Sequence, residues 1–149
     1  RQAAAEVLGN LGDPRAIEPL IQTVANDWNP DVRAAAVQGL GKLRATEAVP
    51  ILIQTLSDGD QSLRQSVVQV LGILGDLRAV PHLIQALGDD SWFVRNAANE
   101  ALRRFVIIHP EAVLELPITD RYSAEHIALR RMREQIHHTL CNQTRETKR

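Results

Sequence analysis

The stretch "LGDLRAVPHLIQALGDDSWFVR", residues 74–95, decides the fold because two close copies of it precede it in the chain. The copies are "LGDPRAIEPLIQTVANDWNPDVR" at 11–33 and "LRATEAVPILIQTLSDGDQSLR" at 43–64. Four arginines repeat with them at steps of 32, 31 and 31 residues: Arg1, Arg33, Arg64 and Arg95. Self-similarity with a period of about 31 residues predicts stacked supersecondary units.

Each unit is predicted to contain two helices. The first, typified by 78–87, places apolar residues at i, i+3, i+4 and i+7, which is one stripe of an α-helix. The second, typified by 92–105, carries its apolar side chains on one face, and polar turns such as "GDD" and "DGDQS" separate the two. No segment alternates with period two, so we predict an all-α solenoid of stacked two-helix repeats without strands.

The repeat resembles the HEAT-repeat family, specifically its short PBS-lyase HEAT-like class. The resemblance rests on "LSDGDQSLRQSVVQVLGILGDLRA" and "LGDDSWFVRNAANEALRRF" and covers residues 1–105. It implies a HEAT-like solenoid over 1–105, followed by divergent C-terminal helices and a basic tail over 106–149. In this register Arg1 opens a second helix, so we expect its missing first helix to be replaced by upstream repeats or by another chain.

The C-terminal part is predicted to form a helical cap. A short helix is expected over 106–116 and a longer one over about 123–140, with an i+4 apolar stripe. Docking of the longer helix on the core is one interpretation, and a basic helix that binds a partner is the other. The stripe consists of Ala124, Ala128, Met132, Ile136 and Leu140.

Composition limits the possible environments. Apolar residues make up 44% of the chain and no run is long enough to span a membrane. Residues 1–120 carry 10 basic and 15 acidic side chains, whereas residues 121–149 carry 7 basic and 3 acidic ones. The single cysteine, Cys141, cannot form an internal disulfide, which agrees with an expected cytoplasmic location.

In each unit an aspartate in the turn between the two helices is followed six positions later by an arginine. We interpret them as a structural ladder of charge-assisted hydrogen bonds, with each carboxylate meeting the arginine that comes after it, because packing motifs repeat in solenoids whereas active sites rarely do. The pairs are Asp27 with Arg33, Asp58 with Arg64, and Asp89 with Arg95.

The outward positions of the second helices are predicted to line the concave face of the solenoid. They form a mostly polar surface of mixed charge, which favours a protein or peptide partner. Nucleic acid would require a basic groove with aromatic residues, so we expect none to bind. The predicted partner-binding residues are Gln38, Lys42, Gln65, Gln69, Ile73, Asn96, Glu100 and Arg104. Trp28 and Trp92, both expected in turns, are either binding hot spots or packed over those turns.

No catalytic or metal motif appears in the sequence, and we expect no cofactor. His137 and Cys141 stand at i, i+4, which is a weak pattern for a metal site. Deoxyhypusine hydroxylase, a HEAT-like enzyme, builds its di-iron site from His-Glu dipeptides, and this chain has none. The resemblance also extends to phycobilin lyases and phycobilisome-associated factors.

Two functions therefore compete at this point. The leading hypothesis is a non-enzymatic protein-interaction scaffold within a larger HEAT-repeat protein. The alternative is a phycobilin lyase-type or phycobilisome-associated factor that acts on bilin–antenna proteins. A sensor arm of a signalling protein is a third possibility.

Overall fold

The computed structural model describes residues 1–108 and, in the C-terminal part, residues 127, 130, 131, 133, 134 and 136–138. Residues 1–108 form seven α-helices. They are α1 Gln2–Leu11, α2 Ile17–Asn26, α3 Pro30–Lys42, α4 Val49–Thr55, α5 Gln61–Leu74, α6 Val80–Gln85 and α7 Trp92–Ile108.

The helices form two layers of a solenoid. The second helices α1, α3, α5 and α7 pack side by side, and the first helices α2, α4 and α6 cover α3, α5 and α7 respectively. No strand occurs among the described residues, so the predicted all-α solenoid of HEAT-like hairpins is confirmed. None of the helices in this part of the chain combines the length and apolar character needed to cross a membrane.

Repeated leucines build one continuous core. Each first helix buries a leucine and each second helix from α3 onward buries another, all with at most 1% of the residue exposed. An isolated hairpin would leave part of this apolar surface in water, so its burial depends on the neighbouring hairpins. These residues are Leu20, Leu52 and Leu83 in the first helices, and Leu40, Leu71 and Leu102 in the second helices.

The first helix of the last hairpin is shorter than the sequence predicts. The segment predicted as one helix over 78–87 consists of a 3-10 turn at Leu77–Ala79, α6, and a second 3-10 turn at Ala86–Gly88. The carboxylate of Asp76 accepts the backbone N–H of Arg78 at 2.9 Å and organises the leading turn. Pro81 then lies in the first turn of α6, where its missing N–H leaves no bond unmade.

The last second helix is longer than predicted. We expected it to end at Phe105, but α7 continues to Ile108 because Phe105 is buried and Val106 packs against the core. Residues 106–108 of the predicted 106–116 helix thus belong to α7, and the rest lies outside the described residues. The described positions between 127 and 138 are helical, and Ile136 joins the core with 2% of its surface exposed. The other four residues of the predicted stripe lie outside the described residues.

Small residues let successive second helices approach closely. In α1, α3 and α5 the glycine that follows the repeated leucine faces the residue before that leucine in the next second helix, as Gly72 faces Ala101. An ideal Cβ on Gly72 would lie 2.6 Å from the Cβ of Ala101, and one on Gly9 would collide with the Cα of Gly39. In α7 this position is Arg103, whose Nε donates to Asn99 Oδ1 at 3.0 Å. The close seam therefore cannot continue past α7 in the same geometry.

One left-handed position departs from the repeat. Gly12 and Gly75 end α1 and α5 with φ of 70° and 69°. The equivalent residue after α3 is Arg44, with φ of 54°. A side chain in this region costs about 1–2 kcal/mol, so the turn between α3 and α4 is strained, whereas the equivalent turns after α1 and α5 are not.

A chain of ion pairs links the N-terminal ends of the second helices. Three of the four repeated arginines, Arg1, Arg33 and Arg64, each contact a carboxylate in the turn of the following hairpin. The nitrogen–oxygen distances are 3.1 Å for Arg1–Asp27, 2.6 Å for Arg33–Asp58 and 2.9 Å for Arg64–Asp89. Arg64 is the most enclosed, with 10% of its side chain exposed, and it also contacts Asp90 at 2.6 Å.

The expected pairing within one hairpin is wrong. Within residues 1–108, Asp58 and Arg64 form no ion pair with each other, and neither do Asp89 and Arg95. The reason is local: Arg64 Nη1 donates to the backbone carbonyl of Asp58 at 2.9 Å, and Arg95 Nη1 donates to that of Asp89 at 2.7 Å. Asp58 accepts the backbone N–H of Asp60 through Oδ1 and Arg33 Nη1 through Oδ2. Asp89 accepts the backbone N–H of Ser91 through Oδ1 and bonds Arg64 through both oxygens.

The same departure holds for the first hairpin, where Asp27 pairs with Arg1 instead of Arg33. Arg33 Nε donates to the carbonyl of Val24 at 2.8 Å. The arginine thus bonds the backbone of its own hairpin and, from the same side chain, the carboxylate of the next. The ladder joins neighbouring hairpins, which an intra-hairpin ladder would not do.

Hydrogen bonds from arginine and from backbone N–H groups lower the pKa of two carboxyl groups in the ladder. The guanidinium of Arg64 lowers the pKa of Asp89 to about 2, against the opposing effect of burial, and the N–H of Ser91 adds to the lowering. The N–H of Asp60, followed by the Arg33 guanidinium, holds the pKa of Asp58 below its usual range. Both carboxylates are therefore charged at neutral pH.

We expect Gly72→Ala to lower the free energy of unfolding by about 1–2 kcal/mol, measured by urea denaturation. The added methyl group would collide with Ala101, whose Cβ and Cα cannot swing away. Alanine normally stabilises a helix by about 1 kcal/mol relative to glycine. A net loss of stability would therefore show that the close contact outweighs this preference. Gly88→Ala is the matched control, because no atom lies within 4 Å of its Cβ position. A stabilising effect of Gly72→Ala would contradict the close seam.

We expect Arg64→Met to lower the free energy of unfolding by about 2–4 kcal/mol, because it leaves Asp89 and two turn carbonyls without their donor. Arg78→Met should cost less than about 1 kcal/mol, since Arg78 is 59% exposed and pairs with Asp76 in its own turn. Thermal denaturation of both variants tests this contrast. Equal losses would show that the ladder adds nothing beyond a surface ion pair.

We expect acid to weaken the ladder between about pH 4 and pH 2. The pKa of Asp89 is lower in the folded state than in the unfolded chain, so its contribution is complete above the unfolded value and disappears as the pH falls through the folded one. The contribution is about 1–2 kcal/mol after allowance for solvent screening. Urea denaturation at pH 5 and pH 2 should show that acid lowers the free energy of unfolding less in Asp89→Asn than in the parent. Asp31→Asn, at an exposed residue without an ion pair in residues 1–108, should follow the parent. Identical losses in all three proteins would exclude this linkage.

Candidate partner-binding face

A trough runs along the seam between α5 and α7 on the outward side of the second helices. It encloses about 330 Å³, and α3 contributes to one wall. The lining residues are Gln38, Gln65, Gln69, Gly72, Ile73, Phe93, Asn96, Ala97, Glu100, Ala101 and Arg104. The trough thus brings together seven of the eight residues that the sequence places on the concave face, and whether they bind a partner remains a prediction.

Lys42 is the residue that the trough does not include. Its Nζ donates to Asn10 Oδ1 at 2.7 Å, across the seam between α3 and α1. On the same outward face, Gln2 Nε2 donates to Glu6 Oε1 at 3.1 Å. The polar groups near α1 therefore satisfy one another, and the trough begins only beyond them.

The floor of the trough consists of small residues that the sequence analysis did not assign to the site. Gly72, Ala97 and Ala101 are buried and carry at most one carbon beyond the backbone. The trough exists because these residues let α5 and α7 approach while leaving no bulk between the outward side chains. The periodic glycine after each core leucine was the pattern that could have revealed this seam.

Two apolar residues mark the ends of the trough. Phe93, in the first turn of α7, is 53% exposed, and Ile73, near the end of α5, is 37% exposed. The positions equivalent to Phe93 are Ser62 and Asp31, and those equivalent to Ile73 are polar or charged in the other second helices. Packing of the repeat therefore does not require either apolar side chain at its position.

The walls between these ends are polar. The side chains of Gln38, Gln65, Gln69 and Asn96 form no hydrogen bond within the described part of the chain. Each terminal amide can both donate and accept. The trough therefore offers amide groups from three successive second helices together with free charges at Glu100 and Arg104.

The tryptophans lie outside the trough. Trp28 is in the turn before α3, is 79% exposed and packs under the guanidinium of Arg1 at 5.3 Å. Trp92 was expected in a turn but is the first residue of α7, where its ring meets that of Phe93 edge-on with the centroids 5.4 Å apart. Both rings remain accessible, so neither is buried by its turn.

A second, smaller cavity of about 200 Å³ lies on the other side of the hairpins. It is lined mainly by α4 and α6 side chains and includes His82, which is half-buried. Among the described residues no group of three or more His, Cys, Asp or Glu side chains could hold a metal ion. Of the predicted pair of His137 and Cys141, the cysteine lies outside those residues.

Known proteins that are similar to this chain include a curated lyase subunit and a solved lyase complex. Phycocyanobilin lyase subunit alpha of Synechococcus elongatus is 46% identical over 63 residues, which are 42% of this chain and 22% of that protein. The structure of the complex of CpcE and CpcF of phycocyanin lyase from Nostoc sp. PCC7120 superposes with a TM-score of 0.65 and 28% identity, over 91% of this chain and 59% of that one. The chain thus spans less than two thirds of the length of either relative.

Family models match most of the repeat region. The model for HEAT repeats matches residues 17–103, and that for the PBS lyase HEAT-like repeat matches residues 1–26. These matches coincide with the hairpins that the structure shows between α1 and α7. The chain belongs to the HEAT-repeat family.

Proposed function

We propose that this chain is part of a phycobilin lyase-type subunit and contacts a bilin–antenna protein through the outward face of its second helices. The similarity to phycocyanobilin lyase subunit alpha, 46% over 63 residues, carries this proposal. The likeness to a phycocyanin lyase complex over 91% of the chain supports it. The relatives thus favour the alternative over the leading hypothesis of the sequence analysis.

The proposed role of the described residues is to bind and orient. Attachment of a bilin joins two molecules, and holding them in a fixed relation removes much of the entropic barrier. The second-helix face suits this role because the ladder and the glycine seam fix the spacing of its helices. Gln69, Asn96 and Glu100 would then meet the surface of the antenna protein at a constant separation.

A second HEAT-like subunit is part of the proposal. The curated relative is named a subunit, and the solved relative is a complex of two proteins. On α1, Val7 and Leu11 are 54% and 68% exposed, whereas Val70, the equivalent of Val7 in α5, is buried. This apolar face is where upstream repeats or a second chain would pack, as the sequence analysis expects.

A non-enzymatic interaction scaffold remains the second candidate. The observation that favours it is the trough itself, which is lined by amides and opposite charges and resembles the polar surface of a protein-binding site. The two candidates differ in the fate of the partner after binding. A scaffold would hold its partner unchanged, whereas a lyase-type subunit would be required for a bilin to become covalently attached to that partner.

We expect this chain to co-elute in size-exclusion chromatography with a bilin-free phycocyanin subunit. The triple variant Gln69→Ala, Asn96→Ala, Glu100→Ala should weaken the complex about tenfold or more, since three polar contacts of about 0.5–1 kcal/mol each would be lost. The control changes Gln22, Gln54 and Gln85 to alanine, because these glutamines occupy one repeated position on the exposed side of the first helices.

Absence of a complex with the parent chain would contradict the proposed function. Equal weakening by the two triple variants would exclude the second-helix face. Addition of phycocyanobilin and the second subunit then separates the two candidates. Bilin absorbance that stays with the antenna protein after denaturing electrophoresis supports the lyase-type function, and binding without such transfer supports the scaffold.

A further inference from the structure

We propose that the trough between α5 and α7 recognises a short extended segment of a partner polypeptide, with an apolar residue at each end and a basic and an acidic residue between. The inference rests on the proposed function only for the identity of that partner. The recognition itself is argued from the side chains that line the trough.

The two apolar ends set the length of the segment. Phe93 and Arg104 are eleven residues apart on α7, which corresponds to about 16 Å along the helix axis. Ile73 occupies on α5 the repeat position that Arg104 occupies on α7, so it lies at the same level. An extended chain covers this distance in about five residues. Apolar side chains five or six positions apart would therefore reach Phe93 and Ile73 together.

The amides between the ends select an extended backbone. Gln65, Gln69 and Asn96 present donors and acceptors that form no hydrogen bond within the described residues. An α-helix has satisfied its own backbone groups and would leave these amides unpaired, which costs free energy on burial. An extended segment exposes N–H and C=O groups along both edges and can pair with them.

Charge complementarity fixes the residues between the apolar ends. Glu100 and Arg104 stand one helical turn apart on the wall of the trough, and neither has an ion-pair partner in the described part of the chain. A bound segment that places a basic side chain at Glu100 and an acidic one at Arg104 would satisfy both. From Phe93 these levels lie about 10 and 16 Å along the axis, which correspond to about three and five residues of extended chain.

A fluorescein-labelled peptide of sequence Leu-Ser-Ser-Lys-Ser-Glu-Leu is the probe, and fluorescence anisotropy with the full chain is the measurement. Phe93→Ser and Ile73→Lys copy residues found at the equivalent positions, Ser62 and Lys42, so both should fold. We expect each to weaken binding about tenfold, the loss of one buried apolar anchor. Trp28→Ser removes a more exposed ring outside the trough and should change affinity less than about twofold.

Two modified peptides test the mode of binding. Methylation of the central backbone nitrogens removes donors and should weaken binding about fivefold or more. Exchange of Lys and Glu in the peptide should also weaken it, and the double variant Glu100→Arg, Arg104→Glu should restore the affinity for the exchanged peptide.

Three results would overturn the inference. These are no binding of the probe by the parent chain, tighter binding of a helix-stapled version of the same peptide, and equal effects of Phe93→Ser and Trp28→Ser. Because the probe contains no antenna protein, its failure leaves the co-elution result of the proposed function unaffected. Conversely, probe binding without co-elution would support the trough and contradict the proposed partner.

Discussion

The guanidinium groups at the start of the second helices hold the solenoid in register. Arg33 and Arg64 each bond the backbone of their own hairpin and the carboxylate of the next, so one side chain connects two repeats. Toward the other end of the same helices, the glycine seam sets the closest approach. Two fixed points on each pair of helices determine both their separation and their crossing angle. The dimensions of the trough depend on these two constraints.

The second helices carry residues that maintain the array and residues that do not, and this difference explains the composition of the candidate site. Residues that repeat faithfully, such as the core leucines and the ladder arginines, maintain the array. Some repeated positions hold different residues in different repeats, as those of Phe93 and Ile73 do. These side chains are not needed to maintain the array and can adapt to a ligand. In a repeat protein, departure from the pattern at an exposed position is therefore more informative about binding than the pattern itself. Two such departures mark the ends of the trough.

The sequence was sufficient for the hairpins, the period and the outward positions, because apolar periodicity and turn residues are local properties. It was insufficient for the ladder partners. A spacing of six residues suggested pairs within one hairpin, whereas the actual partners are 25 residues apart and meet only after the hairpins stack. The buried floor of the trough was missed for a similar reason, since Gly72 and Ala101 become neighbours only in the packed array. The C-terminal boundary moved because burial of Phe105 carried α7 beyond the last recognisable repeat residue.

The strained turn at Arg44 has a consequence for how the array comes apart. Its left-handed backbone is tolerated because the hairpins on both sides hold it in place. If those hairpins loosened, the strain would favour opening at the turn between α3 and α4 ahead of the turns after α1 and α5, which carry glycine. The array would then divide at its centre instead of fraying from one end. Amide hydrogen exchange would register this as faster exchange in α4 than in α6.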